Sequence, residues 1–129
     1  MNFTPNCSLV YLVYFLSSFN TAKPTAIIID KSVVKKVGQN HVISCQVDGK
    51  PTPIVTWLKD GKKFTIDGAH ILRSGTNLVF SSLEITDTGR YDCVATNAAS
   101  STTASVNIKV LSSNGIILFL IIYLSILMK

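Results

Sequence analysis

Apolar residues are concentrated at the two ends of this 129-residue chain. Nine of the ten residues 7–16 and twelve of the thirteen residues 116–128 are apolar or aromatic. Between the ends, apolar residues instead alternate with polar ones in short runs. Alternation of period two is typical of half-buried strands, so the middle of the chain predicts a β domain.

Four runs show this alternation most clearly, at residues 41–47, 54–58, 91–95 and 104–110. Turn residues separate them, mostly a glycine after Asp, Ser or Thr, and one Pro-Thr-Pro run. No segment of the middle sustains helical spacing, although residues 83–87 fit one short turn. Several short strands at this spacing predict a sandwich or a barrel.

The N-terminal apolar run is too short to span a bilayer, which takes about 20 residues. Small and polar residues follow it as far as Ala22. This order is typical of a secretory signal peptide, so we interpret residues 1–22 as a signal. The segment before the apolar run contains neither Lys nor Arg, and the alternative is an uncleaved amphipathic N-terminus.

Residues 112–129 form an apolar tail whose apolar run would span about 20 Å as a helix, less than the roughly 30 Å hydrocarbon core. A tail preceded by small residues resembles a glycosylphosphatidylinositol (GPI) signal, and Ser112, Ser113 and Asn114 are the candidate attachment positions. The usual polar spacer is nearly absent. The alternatives are a short transmembrane helix with Lys129 in the cytoplasm, and a buried or interfacial tail. The GPI anchor and the transmembrane helix both place the domain on the extracellular side of the cell membrane.

Three cysteines are present. Cys7 lies in the signal segment, which leaves Cys45 and Cys93. A pair of cysteines in a secreted domain is expected to form a disulfide. Neither a CxxC motif nor a Cys/His zinc spacing occurs, so we expect no metal and no cofactor.

Cys45, Trp57 and the run Asp87-Thr88-Gly89-Arg90-Tyr91-Asp92-Cys93 together resemble the core of the immunoglobulin fold. The runs at 49–53, 58–62 and 91–99 are similar to those of the intermediate (I-set) subclass, as in neural adhesion and extracellular-matrix proteins. The resemblance covers residues 24–111, within a domain that we place at residues 23–111.

This resemblance implies an all-β, two-sheet antiparallel sandwich. It implies that Trp57 packs against the disulfide, that the Tyr91 hydroxyl bonds back to the backbone, and that Gly89 allows a tight start to its strand. In I-set domains an Arg often pairs with the residue matching Asp87, but here its place falls near Ala69 or His70. We therefore expect no Arg–Asp bridge and a solvated His70.

Catalysis is not expected. Asp87-Thr88-Gly89 is also the triplet of aspartic proteases, but it precedes Tyr-x-Cys, where the sandwich itself requires Asp-x-Gly. His41 and His70 have no spacing that suggests a catalytic triad; His41 is expected to be partly buried at an edge. Glycine loops for phosphate are missing, and the compartment excludes nucleic acid.

The formal net charge is +5, and basic clusters lie at residues 35–36 and 59–63. A solvated face is the default interpretation of such clusters. Weak binding to sulfated glycans or to anionic lipid headgroups is the alternative.

The direction of side chains predicts a binding surface. If Trp57 and Cys93 face the core, then Leu58 and Val94 face outward. With Phe64 nearby and Thr56 at the rim, they would form the centre of a small interface. We expect a cell-surface recognition or adhesion module that binds a protein ligand or receptor, homophilic or heterophilic. The alternative is a secreted soluble ligand or decoy.

Overall fold

The structure is a computed structural model that describes residues 20–129, with the backbone alone described for residues 113–119. Most of the expected signal segment 1–22, with Cys7, lies outside the described residues.

Short strands connected by tight turns make up the described part of the chain as far as Leu111. In chain order they are β1 (Ala22–Ile27), β2 (Ser32–Lys36), β3 (His41–Ile43), β4 (Gln46–Lys50), β5 (Ile54–Lys59), β6 (Ile71–Ser74), β7 (Asn77–Phe80), β8 (Gly89–Thr96) and β9 (Ser101–Leu111). A 3-10 turn at Ile85–Asp87 precedes β8, within the segment for which the sequence predicts one turn. The helix α1 (Ser113–Leu127) follows β9.

The strands form the two layers of a sandwich, as expected. One layer has the order β2-β9-β8-β5, and the other consists of the pair β1-β4 and the sheet β3-β7-β6. The strand expected at residues 41–47 is divided into β3 and β4, which are separated only by Ser44 and Cys45. The pairing is antiparallel except for β2, which runs parallel to β9.

The core lies between the layers and is built from alternate residues of the strands. The Cys45–Cys93 disulfide is confirmed, and it joins the two layers across this core. The largest fully buried side chains of the core are those of Tyr91, Phe80, Leu78, Leu83, Val106 and the two cysteines.

The helix α1 begins two residues after β9 ends. Its apolar side chains from Leu120 to Leu127 are all at least half exposed. Among the described residues, no helix is both long and apolar enough to cross a membrane.

Candidate interaction surface

The core beneath the candidate surface fixes the position of Trp57. This residue lies on β5 directly opposite Cys93 of β8, and it is 4% exposed. Its Nε1 donates to the Thr76 carbonyl at 3.2 Å, and the Thr76 hydroxyl donates to the Cys45 carbonyl at 2.6 Å. The indole is therefore held next to the bridge by packing and by a hydrogen bond to the β6–β7 turn.

Tyr91 anchors the start of β8. Its hydroxyl donates to the Asp87 carbonyl at 2.7 Å, and its ring meets Phe80 and Phe64 edge-to-face at 5.3 and 5.7 Å. Burial, with the nearby charges of Asp87 and Asp60, raises the pKa of the Tyr91 phenol. The phenol therefore remains a neutral donor at physiological pH.

Gly89 allows the turn after β5 and the start of β8 to approach closely. A Cβ at this position would lie 2.9 Å from Asp60 Oδ2, closer than real Cβ contacts. Asp60 is held there because its Oδ1 accepts the Arg90 N–H at 2.9 Å. A side chain at position 89 would therefore push against a fixed carboxylate.

His70 corrects the expectation of a solvated histidine. Its Nε2 lies 2.8 Å from Asp87 Oδ2 and 3.0 Å from Oδ1, and Asp87 is 4% exposed. The hydrogen bond to Asp87 is the main cause that raises the pKa of His70. An imidazole thus occupies the place where I-set domains often have an Arg.

The outward face of β5 and β8 carries the predicted interface residues. Thr56 lies opposite Val94, so Leu58 and Ile54 are the diagonal neighbours of Val94 on either side. Leu58 and Val94 are half-buried, whereas Ile54 is 74% exposed. The three apolar side chains form a line, with Thr56 beside them, which we call the apolar line.

The structure does not place Phe64 with these residues. Its ring lies against Tyr91 and joins the partly buried margin of the core. Ile54 takes its place as the third apolar side chain. The alternation that places Leu58 outward also places Ile54 outward, so the signal for Ile54 was already present in the sequence.

A polar network on β8 and β9 lies next to the apolar line. Asp92 is 5% exposed although it faces outward, because Arg90 and Ser105 cover it. Arg90 Nε and Nη2 each lie 3.1 Å from an Asp92 oxygen, and the Ser105 hydroxyl donates to Oδ1 at 2.6 Å. The network therefore separates the apolar line from the end of the sheet where β9 terminates.

The candidate attachment positions lie at the junction of β9 and α1. Ser112 follows β9, and Ser113 and Asn114 begin the helix. In the described part of the chain, His, Cys, Asp and Glu side chains form no group of three that could hold a metal ion.

Comparisons with known proteins agree with this architecture. The family model of the immunoglobulin I-set domain matches residues 24–110. Mouse hemicentin-1 is 44% identical over 66 residues, which cover 50% of this chain and 1% of that protein. Protein sax-3 of Caenorhabditis elegans is 37% identical over 75 residues, which cover 57% of this chain and 6% of that protein.

Among solved structures, a chain in a complex of titin M10 with obscurin-like 1 Ig is similar, with a TM-score of 0.62 and 28% identity. The match covers 70% of this chain and 96% of that chain. This chain spans only a small part of the length of the curated relatives above. The matched family model covers most of the described sandwich, and the chain therefore belongs to the immunoglobulin I-set domain family.

Proposed function

We propose that this protein is an extracellular recognition or adhesion module that binds a protein partner through the apolar line and performs no catalysis. The carrying observation is the line of Ile54, Val94 and Leu58 on an open sheet face. Exposing Ile54 contributes little to folding, because an exposed side chain retains its contact with water. A small apolar centre with a polar rim is typical of a protein interface.

The compartment supports a partner outside the cell. Disulfides form and persist mainly in oxidising environments such as the cell surface, and the two layers are joined by one. A single small domain offers about 800 Å² to a partner. The contact would therefore be modest in affinity, and clustering on a surface would strengthen it.

The test replaces Leu58 and Val94 together by Lys. Beads coated with the purified chain test self-association, and multivalent chain applied to cells tests a different partner. The matched control is Ile27→Lys with Val42→Lys, because these two exposed apolar residues lie on the other layer. We expect binding to fall at least tenfold in the first variant and to persist in the control.

Unchanged binding by the folded Leu58→Lys, Val94→Lys variant would eliminate this face. Thermal unfolding measured on both variants shows whether each remains folded. Bead aggregation that is lost only in the first variant would establish homophilic binding. Binding to cells without bead aggregation would establish a different protein partner.

We further propose that residues 112–129 attach the domain to a membrane, by a GPI anchor at Ser112, Ser113 or Asn114 or by the apolar helix itself. The exposed apolar side chains of α1 support this proposal, because they find no cover among the described residues. Phosphatidylinositol-specific phospholipase C would release a GPI-anchored form from expressing cells and leave a spanning form behind. Protein found in the medium without enzyme would favour the alternative, a secreted soluble ligand or decoy.

A further inference from the structure

A shallow hollow lies on the face of the β2-β9-β8-β5 sheet, beyond the polar network. Its volume is about 400 Å³, and Arg90, Lys109, Asn107, Ser32 and Thr88 are among the residues that line it. Asp60 also lines it, and its carboxylate accepts the Arg90 backbone N–H. The hollow therefore combines cationic and neutral polar side chains with apolar surface, unlike the apolar line on the same sheet.

Several polar groups of the hollow are available to a ligand. In the described part of the chain, the side chains of Ser32, Asn107 and Lys109 have no hydrogen-bond or ion-pair partner. Arg90 is engaged with Asp92, yet about half of its side chain is exposed. A hydroxyl, an amide and two cations thus surround one open depression.

Folding places the two basic clusters, which are far apart in the sequence, at opposite edges of this sheet. Lys36 lies at the end of β2, opposite Leu111, two residues beyond Lys109 on β9. At the other edge of the sheet, Arg90 Nη2 comes within 3.9 Å of the place that a Cβ at Gly61 would take. Lys62 and Lys63 follow directly in that turn.

The cations lie on β2, β9 and β8 and in the turn after β5, so they span the width of the four-stranded sheet, about 14 Å at the usual strand spacing. We call it the basic band; its residues are Lys36, Lys109, Arg90, Lys62 and Lys63. Two carboxylates lie within it. Asp92 is covered by its pairing with Arg90, and Asp60 accepts the Arg90 backbone N–H. The band therefore retains a net positive charge.

We propose that the basic band and its hollow bind a sulfated glycan chain. An extended polyanion matches a row of cations across a sheet, and sugar hydroxyls match the free amide and hydroxyl of Asn107 and Ser32. An anionic lipid headgroup would need the cations but not these neutral groups. The site borders the apolar line at Arg90, whereas Lys36 and Lys109 lie beyond the polar network, so separate variants can test the two sites.

The test is binding of the purified full chain to immobilised heparin over a range of salt concentrations. Lys36→Gln with Lys109→Gln removes two charges from the band and leaves the Arg90–Asp92 pair intact. Lys23→Gln with Lys50→Gln removes the same charge from the opposite end of the sandwich, where Ala22 pairs with Lys50. We expect affinity to fall about tenfold in the band variant and less than twofold in this control.

A second variant tests the sugar contacts without changing charge. Ser32→Ala with Asn107→Ala should weaken heparin binding at least threefold, because it removes two neutral hydrogen-bonding groups. Equal losses in the band variant and its charge-matched control would overturn the proposal in favour of nonspecific attraction. Binding to phosphatidylserine vesicles that is tighter than binding to heparin would assign the band to a lipid surface instead.

The two proposals for this sheet can be contradicted independently of each other. Leu58→Lys with Val94→Lys should leave heparin binding undiminished, and the band variant should leave bead aggregation or cell binding by the apolar line intact. Desulfated heparin should bind at least tenfold more weakly than heparin. Equal affinity for the two polysaccharides would also overturn the assignment to a sulfated chain.

Discussion

His70 and Asp87 form an ion pair across the end of the sandwich, with 2.8 Å between Nε2 and Oδ2. Asp87 also accepts the Glu84 backbone N–H at 2.7 Å, and its own carbonyl accepts the Tyr91 hydroxyl. One residue of the 3-10 turn therefore joins the segment just before β6 to the start of β8. An Arg at position 70 would keep this ion pair charged at every physiological pH, whereas with His70 the pair depends on protonation of the imidazole.

The first prediction is that the His70–Asp87 ion pair stabilises the domain more in mild acid than at neutral pH. The hydrogen bond to Asp87 raises the pKa of folded His70 above 6.5; burial opposes it, and the charges of Asp87, Glu84 and Asp67 add to it. Its stabilisation is therefore complete below the unfolded value and is lost as pH rises through the folded pKa. Thermal melts from pH 5 to 8.5 should show wild type losing stability relative to His70→Arg as pH rises.

His41 is the necessary control, because it titrates in the same range with the opposite sign. Burial and then Lys35 lower the pKa of His41, while Asp30 opposes them. Its contribution is lost as pH falls through 6.5, when the unfolded chain takes up the proton more readily. In His41→Val, the stability of the domain should therefore rise more steeply as pH falls than it does in wild type. A difference between wild type and His70→Arg that does not vary with pH would contradict the prediction.

Asp67 lies outside this window. Hydrogen bonds from the backbone of Ile71 and Ala69 are the main causes that lower the pKa of its carboxyl below 3.8. The stabilisation that it contributes is present above that value and is lost only as pH falls further. Measurements above pH 5 therefore report the two histidines.

The second prediction concerns the close approach of Gly89 and Asp60. Gly89→Ala should destabilise the domain by about 1–3 kcal/mol, because its Cβ would press on the Asp60 carboxylate. In an Asp60→Gly background the same change should cost less. Chemical denaturation of the four proteins gives the coupling energy. An identical cost in both backgrounds would show that this contact does not limit position 89.

The third prediction is that the Tyr91 hydroxyl stabilises the start of β8. Tyr91→Phe keeps the aromatic contacts with Phe80 and Phe64 and leaves the buried Asp87 carbonyl without its donor. We expect a loss of about 1–3 kcal/mol in the free energy of unfolding. The control is Tyr123→Phe on α1, which removes a hydroxyl from an exposed tyrosine and should leave stability unchanged.

The fourth prediction is that Trp57 emission is quenched in the folded domain, because the indole lies opposite a disulfide-bonded cysteine. Unfolding with the bridge intact should shift the emission to longer wavelength. Trp57→Ala should cost about 3–5 kcal/mol, and loss of the bridge in Cys45→Ala with Cys93→Ala about 2–5 kcal/mol. A folded domain with strongly solvent-exposed emission would contradict this assignment.

The sequence predicted the sandwich because alternation, turn residues and the Cys-Trp-Tyr-x-Cys order all require the same two layers. It also predicted the outward direction of Leu58 and Val94, since period two determines direction once a neighbour faces the core. It misplaced Phe64, because that residue follows a turn where alternation no longer applies. It missed the His70–Asp87 pair and the basic band, because both join residues whose distance depends on how strands are ordered.

The parallel pairing of β2 with β9 determines how the domain would carry mechanical load. The chain enters β2 at Ser32 and leaves β9 after Leu111, and these two points lie at opposite ends of the paired strands. Tension between those segments therefore pulls the strands past one another, and the bonds between Ser32–Lys36 and residues 107–111 resist together. If both strands were pulled from the same end, the hydrogen bonds between them would instead break one at a time. If the domain connects a membrane to a partner, its main resistance to force lies in this pair of strands.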